Sequence, residues 1–203
     1  MTVGRTLVFG YGTLLNDESR EREGGVQSRD VCALADLTPE FGFSRSFCMR
    51  SSTGFTALGL VRDGNPRYNC CGVVFEVCES SLKDYDLRES GYYRELIPHP
   101  CLTLLKGSLK LQKNDLVYTY IPNVESIFEA TEDFPILQTY VDVCLGGCME
   151  WGGVDLIKEF VLSTQMWSSH FLNDPPMSRR PWLHRPHYLV IDQVLDELKD
   201  HTF

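Results

Sequence analysis

One stretch constrains the chain more than any other: the apolar run Leu7 to Leu15, broken in its middle by Gly10-Tyr11-Gly12. Thr6 to Phe9 carries β-branched and bulky residues with no helical period, so it reads as a buried strand that stops at a glycine. Two glycines around a single residue allow positive φ and bare the backbone amides, which is how short turns build small anion cradles. A dinucleotide site would need a third glycine leading into a helix and an acidic residue about twenty positions on. The third position here is Leu15, and Asn16 to Asp30 is polar and glycine-interrupted, which reads as an exposed loop. The Walker pattern with its Gly-Lys-Ser/Thr ending is also missing, so the turn suits a small polar molecule rather than a nucleotide.

A chain of 203 residues fits one domain, 1–203, with a core large enough to need neither disulfides nor metal. The formal net charge of -9 excludes the basic face that nucleic acid requires, so no nucleic-acid partner is expected. Met1-Thr2-Val3-Gly4-Arg5 leads straight into the first strand without a signal h-region, and no apolar run reaches membrane-spanning length. The expectation is a soluble, cytoplasmic protein with no membrane partner. The eight cysteines lie mostly inside apolar segments and show no paired CxxC spacing, so they read as reduced, packed thiols; Cys48, between Phe47 and Met49, is one of them. His99, His170, His184, His187 and His201 are scattered without ligand spacing, and no Gly-x-Ser-x-Gly elbow occurs. Neither metal nor serine-hydrolase chemistry is indicated.

The front half is mostly β. Strands are expected at Val31 to Leu37, Phe41 to Met49, Phe55 to Val61 and Cys71 to Val77. Glu79-Ser80-Ser81 then opens a short helix with Leu82 and Tyr85, ending near Ser90-Gly91, and Tyr92 to Ile97 resumes as a strand. Glu89 falls at the last turn of that helix, where a carboxylate meets the unfavourable end of the dipole. Asp115 to Ile121 alternates as a strand that puts Tyr118 and Tyr120 on one face. Pro135 opens a helix with Ile136, Tyr140, Val143 and Cys144; Val154, Ile157, Phe160 and Val161 mark a second, and Ile191 to Leu198 an amphipathic third. Between the last two lies a long loop, Trp167 to His187, of the length usually reserved for function or for packing against a neighbour.

Two of these stretches together resemble a known family. Phe9-Gly10-Tyr11-Gly12-Thr13-Leu14 resembles the YGSL-type signature of the γ-glutamylcyclotransferase-like superfamily, with Thr13 where serine is usual. Glu89-Ser90-Gly91-Tyr92-Tyr93-Arg94 resembles its second motif, a glutamate and glycine followed by tyrosine, here with Ser90 between the pair. The resemblance covers about residues 6–121, and the helical extension from about 135 to 203 resembles only longer members. It implies an α+β fold, a small mixed β-barrel with flanking helices. It also implies an enzyme that needs no cofactor and cyclises a γ-glutamyl amine or small γ-glutamyl peptide to 5-oxoproline, releasing the free amine.

By the same resemblance Glu89 is the catalytic acid/base, the backbone of Tyr11, Gly12, Thr13 and Leu14 binds substrate, and Tyr120 donates its hydroxyl to it. Without the resemblance, Glu89 is as readily a surface carboxylate paired with Arg88 or Arg94, and the glycines a plain tight turn. The alternative on the same fold is a non-catalytic module that binds a small molecule or another protein.

Overall fold

The computed structural model describes residues 4–24, 32–64, 66–89, 91–174 and 187–202. Its central strand is β1 (Thr6–Gly10), in which Leu7 and Val8 point to opposite faces and both are fully buried. β5 (Cys70–Val77) runs antiparallel on one side, from Thr6 opposite Val77 to Gly10 opposite Val73. β8 (Leu116–Pro122) runs parallel on the other side, with Val8 opposite Tyr118. Outside these lie β2 (Cys32–Leu37) and β7 (Leu102–Gly107) beyond β5, and β6 (Tyr92–Leu96) beyond β8. The order is β6-β8-β1-β5-β2-β7.

The α+β class expected from the sequence holds, but the described strands form an open six-stranded sheet in place of a closed barrel, with β6 and β7 as its edges. The hairpin of β3 (Phe43–Arg50) and β4 (Thr56–Arg62) stands apart as a two-stranded ladder. It meets β8 where Gly59, having no side chain, leaves room for the ring of Pro122. Proline has no N–H to offer a ladder, so this meeting is by packing and the ring stays open.

Helix α1 (Asp17–Gly24) corrects the exposed loop expected from Asn16 onward. It has no apolar stripe; Asn16 Oδ1 accepts the Ser19 amide, and the buried Arg20 guanidinium donates to the Leu14 and Leu15 carbonyls. A cap and one arginine thus replace hydrophobic periodicity. The remainder of that expectation, Gly25 to Asp30, lies outside the described residues, as does Val31 at the start of the second strand.

α2 (Glu79–Arg88) buries Leu82 and Tyr85, the latter 6.0 Å from the Phe75 ring, and the Glu89 amide continues its ladder to Tyr85 at 2.9 Å. α3 (Gln138–Ser163) is broken at Gly153, where φ is 67° and ψ -155°, so the two helices read from the sequence are two arms of one element. Its start is later than Pro135, because Ile136–Leu137 is taken as β9 by the parallel partner β10 (Phe171–Leu172). Asp174 then accepts both the amide and the hydroxyl of Thr139, at 2.9 and 2.5 Å, which fastens part of the long loop to the start of α3. The rest of that loop, residues 175–186, lies outside the described residues. α4 (Tyr188–Glu197) packs Ile191, Val194 and Leu195 inward, and α5 (Lys199–Thr202) follows. No helix among the described residues is long and apolar enough to cross a membrane.

Candidate active site

β1 ends at Gly10, and the chain turns through Tyr11 and Gly12 into a single 3-10 turn, Thr13 to Leu15. Gly12 has φ -122° and Gly10 no positive φ either, so the left-handed turn expected from the sequence is not what the glycines supply. Their role is close approach: a Cβ on Gly10 would lie 2.4 Å from Leu14 Cβ, and one on Gly12 3.3 Å from the Tyr140 hydroxyl. Among the described residues no acceptor takes the amides of Tyr11, Gly12, Thr13 and Leu14. That leaves up to four donors at the end of a buried strand.

The turn walls one side of a half-open cavity, about 380 Å³ with its mouth included. Tyr11, Gly12, Thr13, Leu14, Glu89 and Tyr120 all line it. The parallel pairing of β1 with β8 brings Tyr120 beside the end of β1, and the Tyr11 hydroxyl donates to the Tyr120 carbonyl at 2.7 Å. Glu89 arrives from the opposite direction, just past the last residue of α2; its carbonyl accepts the Tyr92 amide at 2.8 Å, which turns the chain into β6. The Arg94 partner considered for Glu89 is engaged elsewhere, with its Nε 2.9 Å from Asp86 Oδ1. Ser90 and the Arg88 side chain lie outside the described residues.

Leu58, Tyr92 and Tyr140 complete the wall and were not read from the sequence as site residues. The Tyr92 hydroxyl donates to the Leu58 carbonyl at 2.7 Å, and the Leu58 amide donates to the Tyr140 hydroxyl at 3.1 Å, so two phenols clamp one residue of β4. Tyr92 had a signal, its place directly after the glycine of the second motif. Leu58 and Tyr140 had none, since each looks like an ordinary core position of a strand or helix.

The phenols are held neutral. Burial, then Tyr92 and Glu89, push Tyr11 well above its ordinary value; burial, then Cys144, Tyr92 and Glu89, do the same for Tyr140. Tyr120 is raised by burial and by its hydrogen bond to Asp86. That bond alters the role expected for it. The Tyr120 hydroxyl gives its single proton to Asp86 Oδ1 at 3.0 Å, so toward a ligand it presents lone pairs, not a donor. Tyr118 shares its face but lines a neighbouring hollow instead. Cys48 is a packed thiol pushed up to about 12 by burial. Among the described residues no three His, Cys, Asp or Glu side chains converge as a metal would require. The cavity therefore brings together one carboxylate, uncommitted amides and neutral phenols: equipment for proton transfer and for holding an anion.

No protein-family model and no curated protein sequence matches the chain. Solved structures do. A gamma-glutamyl cyclotransferase superposes with TM-score 0.56 at 18% identity, over 76% of this chain and 85% of that one. YkqA from Bacillus subtilis follows with TM-score 0.54 at 15% identity, over 76% of this chain; the chain spans only 52% of that larger protein. An uncharacterized protein from Homo sapiens gives TM-score 0.50 at 19% identity, over 76% and 85%. Identities this low speak for a shared architecture.

Proposed function

This chain has the γ-glutamylcyclotransferase-like fold, and on that premise we propose that it cyclises a γ-glutamyl amine or small γ-glutamyl peptide to 5-oxoproline, releasing the amine. The observation that carries this reading is the convergence of Glu89 and the Tyr11 to Leu14 backbone on one cavity. Ring closure is intramolecular, so most of the work is holding the donor folded back on itself, which supplies roughly 7–11 kcal/mol when the geometry is right. The α-amine attacks the γ-carbonyl, the oxygen gathers negative charge, and the uncommitted amides of the turn stabilise it. Glu89 takes a proton from the attacking nitrogen and returns it to the departing one, so the carboxylate is regenerated and no metal is required. Glu89 stands just past the C-terminal end of α2, on the wall it shares with Tyr11, Tyr92, Tyr120 and Tyr140. The helical part beyond residue 135 gives Tyr140 to the wall, and we propose that the whole chain works as one domain.

The test is a panel of γ-glutamyl amino acids and γ-glutamyl-lysine incubated with the purified protein, with 5-oxoproline measured. Wild type releases it, and Glu89→Gln abolishes release while melting where wild type melts. Binding of the panel without turnover by wild type would overturn the reading in favour of a non-catalytic binding module.

A further inference from the structure

Tyr120 stands in the wall between two hollows. On one side it lines the cavity with Glu89; on the other, Asp86 lines an open hollow with Lys83, Arg94 and Tyr118. The Tyr120 hydroxyl donates to Asp86 Oδ1 at 3.0 Å, and Arg94 Nε donates to the same oxygen at 2.9 Å while its guanidinium lies 5.2 Å from the Tyr118 ring centroid. The Arg94 partner fixes the carboxylate, the carboxylate fixes the phenol, and cross-strand pairing of Arg94 with Tyr120 holds both on one face of β6 and β8. Asp86 is thus committed to receiving the Tyr120 proton.

A phenol whose proton is committed outward can only accept from the cavity side. The donor's α-nitrogen stands beside a free carboxylate and arrives at neutral pH mostly as an ammonium, and an ammonium has only protons to give. We propose that Tyr120, held by Asp86, is the recognition site for the substrate's α-ammonium, with Asp86 as its positioning residue; this rests on the cyclisation reading. Asp86 does not touch the substrate. It keeps the hydroxyl proton out of the cavity, so that Tyr120 receives an ammonium N–H and does not oppose it with its own. The other charged or titratable groups around the Tyr120–Asp86 pair are Lys83 from α2, Glu89 just past its end, Arg94 from β6 and Tyr118 from β8.

The test compares two ligands in binding and turnover: a γ-glutamyl amide and the matching glutaryl amide, which lacks the α-nitrogen. Asp86→Leu frees the Tyr120 proton. It is expected to weaken the γ-glutamyl amide roughly 10- to 100-fold at pH 6.5, the worth of a hydrogen bond to a charged group, and to leave glutaryl amide binding unchanged. The defect should shrink to about twofold once pH passes the donor's own amine titration, followed by NMR on the free ligand, where the donor is a neutral amine able to accept that proton. Asp86→Asn, whose amide oxygen still accepts the hydroxyl, should recover most of the loss at pH 6.5. Equal loss for both ligands, or a loss independent of pH, would overturn the proposal and leave Asp86 a structural residue. Wild type that neither binds nor turns over the γ-glutamyl amide would instead overturn the cyclisation reading itself.

Discussion

The hydroxyl of Tyr11 donates to the backbone carbonyl of Tyr120 across 2.7 Å, joining the turn after β1 to the strand that runs parallel to it. Both residues are buried, at 6% and 5% exposure, so the carbonyl has no ready substitute partner in water. Tyr11→Phe keeps the ring and removes the donor. It should lower the unfolding free energy by about 1–3 kcal/mol, the penalty for a buried polar group left unpaired. Urea denaturation measures it; an unchanged midpoint would show that the turn is held by other contacts.

Two glycines near each other should respond in opposite ways. A methyl at Gly72 would lie 2.5 Å from Phe9 Cζ and 2.7 Å from the Gly10 carbonyl oxygen, so Gly72→Ala overpacks the center of the sheet and should cost about 1–3 kcal/mol. A methyl at Gly12 would lie 3.3 Å from the Tyr140 hydroxyl and in ordinary contact with Leu58, at 3.7 and 3.9 Å. Gly12→Ala should therefore melt near wild type but cut 5-oxoproline release roughly 10- to 100-fold by displacing the donor. Thermal melts beside kcat/KM separate the two effects.

Arg45 is a buried cation satisfied without a carboxylate. Its guanidinium donates to Thr164 Oγ1, Ser163 Oγ and the carbonyls of Cys71 and Phe160 at 2.8–3.1 Å, with the Phe160 ring centroid 3.5 Å away. It pins β3 to β5 and to the end of α3. Arg45→Met fills much of the volume but strands these acceptors, and should lower stability by at least about 3 kcal/mol. Retention of wild-type stability in denaturant would show the network to be dispensable.

Acid should loosen the start of the sheet. Burial works against the Asp115 carboxylate, but hydrogen bonds from Arg5 and from the Gln112 amide outweigh it and hold the group below the ordinary carboxylate range. A depressed folded value stabilises above the unfolded value of about 3.9 and is lost as pH falls through the folded one. Unfolding free energy should thus decline below about pH 4, and Asp115→Asn should flatten that part of the profile. A mutant curve parallel to wild type would exclude Asp115 as a source of the slope.

Most strands were legible because burial on both faces leaves unbroken apolar runs, as in Cys70 to Phe75. β7 was not: Leu102–Gly107 sits at an edge with Leu105 half exposed, and no alternation marks it. α1 escaped because a cap and the buried Arg20 hold it, and neither leaves a periodic trace. In the site, the five residues expected from the two motifs line one cavity with Tyr120 of the late strand, since both motifs sit where a strand or helix stops and the backbone must turn. The bond between Asp86 and Tyr120 was invisible, because nothing in Tyr85-Asp86-Leu87 foretells a partner 34 residues away on a strand.

The pairing of β1 with β8 has a consequence for the order in which the molecule assembles. Thr6 faces Leu116 and Val8 faces Tyr118, so the floor of the cavity closes over a span of some 110 residues. Contacts that distant form slowly, because the chain must first bring its ends together. During synthesis the glycine turn emerges well ahead of β8 and waits unfinished until that strand follows. A truncation before residue 116 would carry the whole signature and still have nowhere to put a ligand.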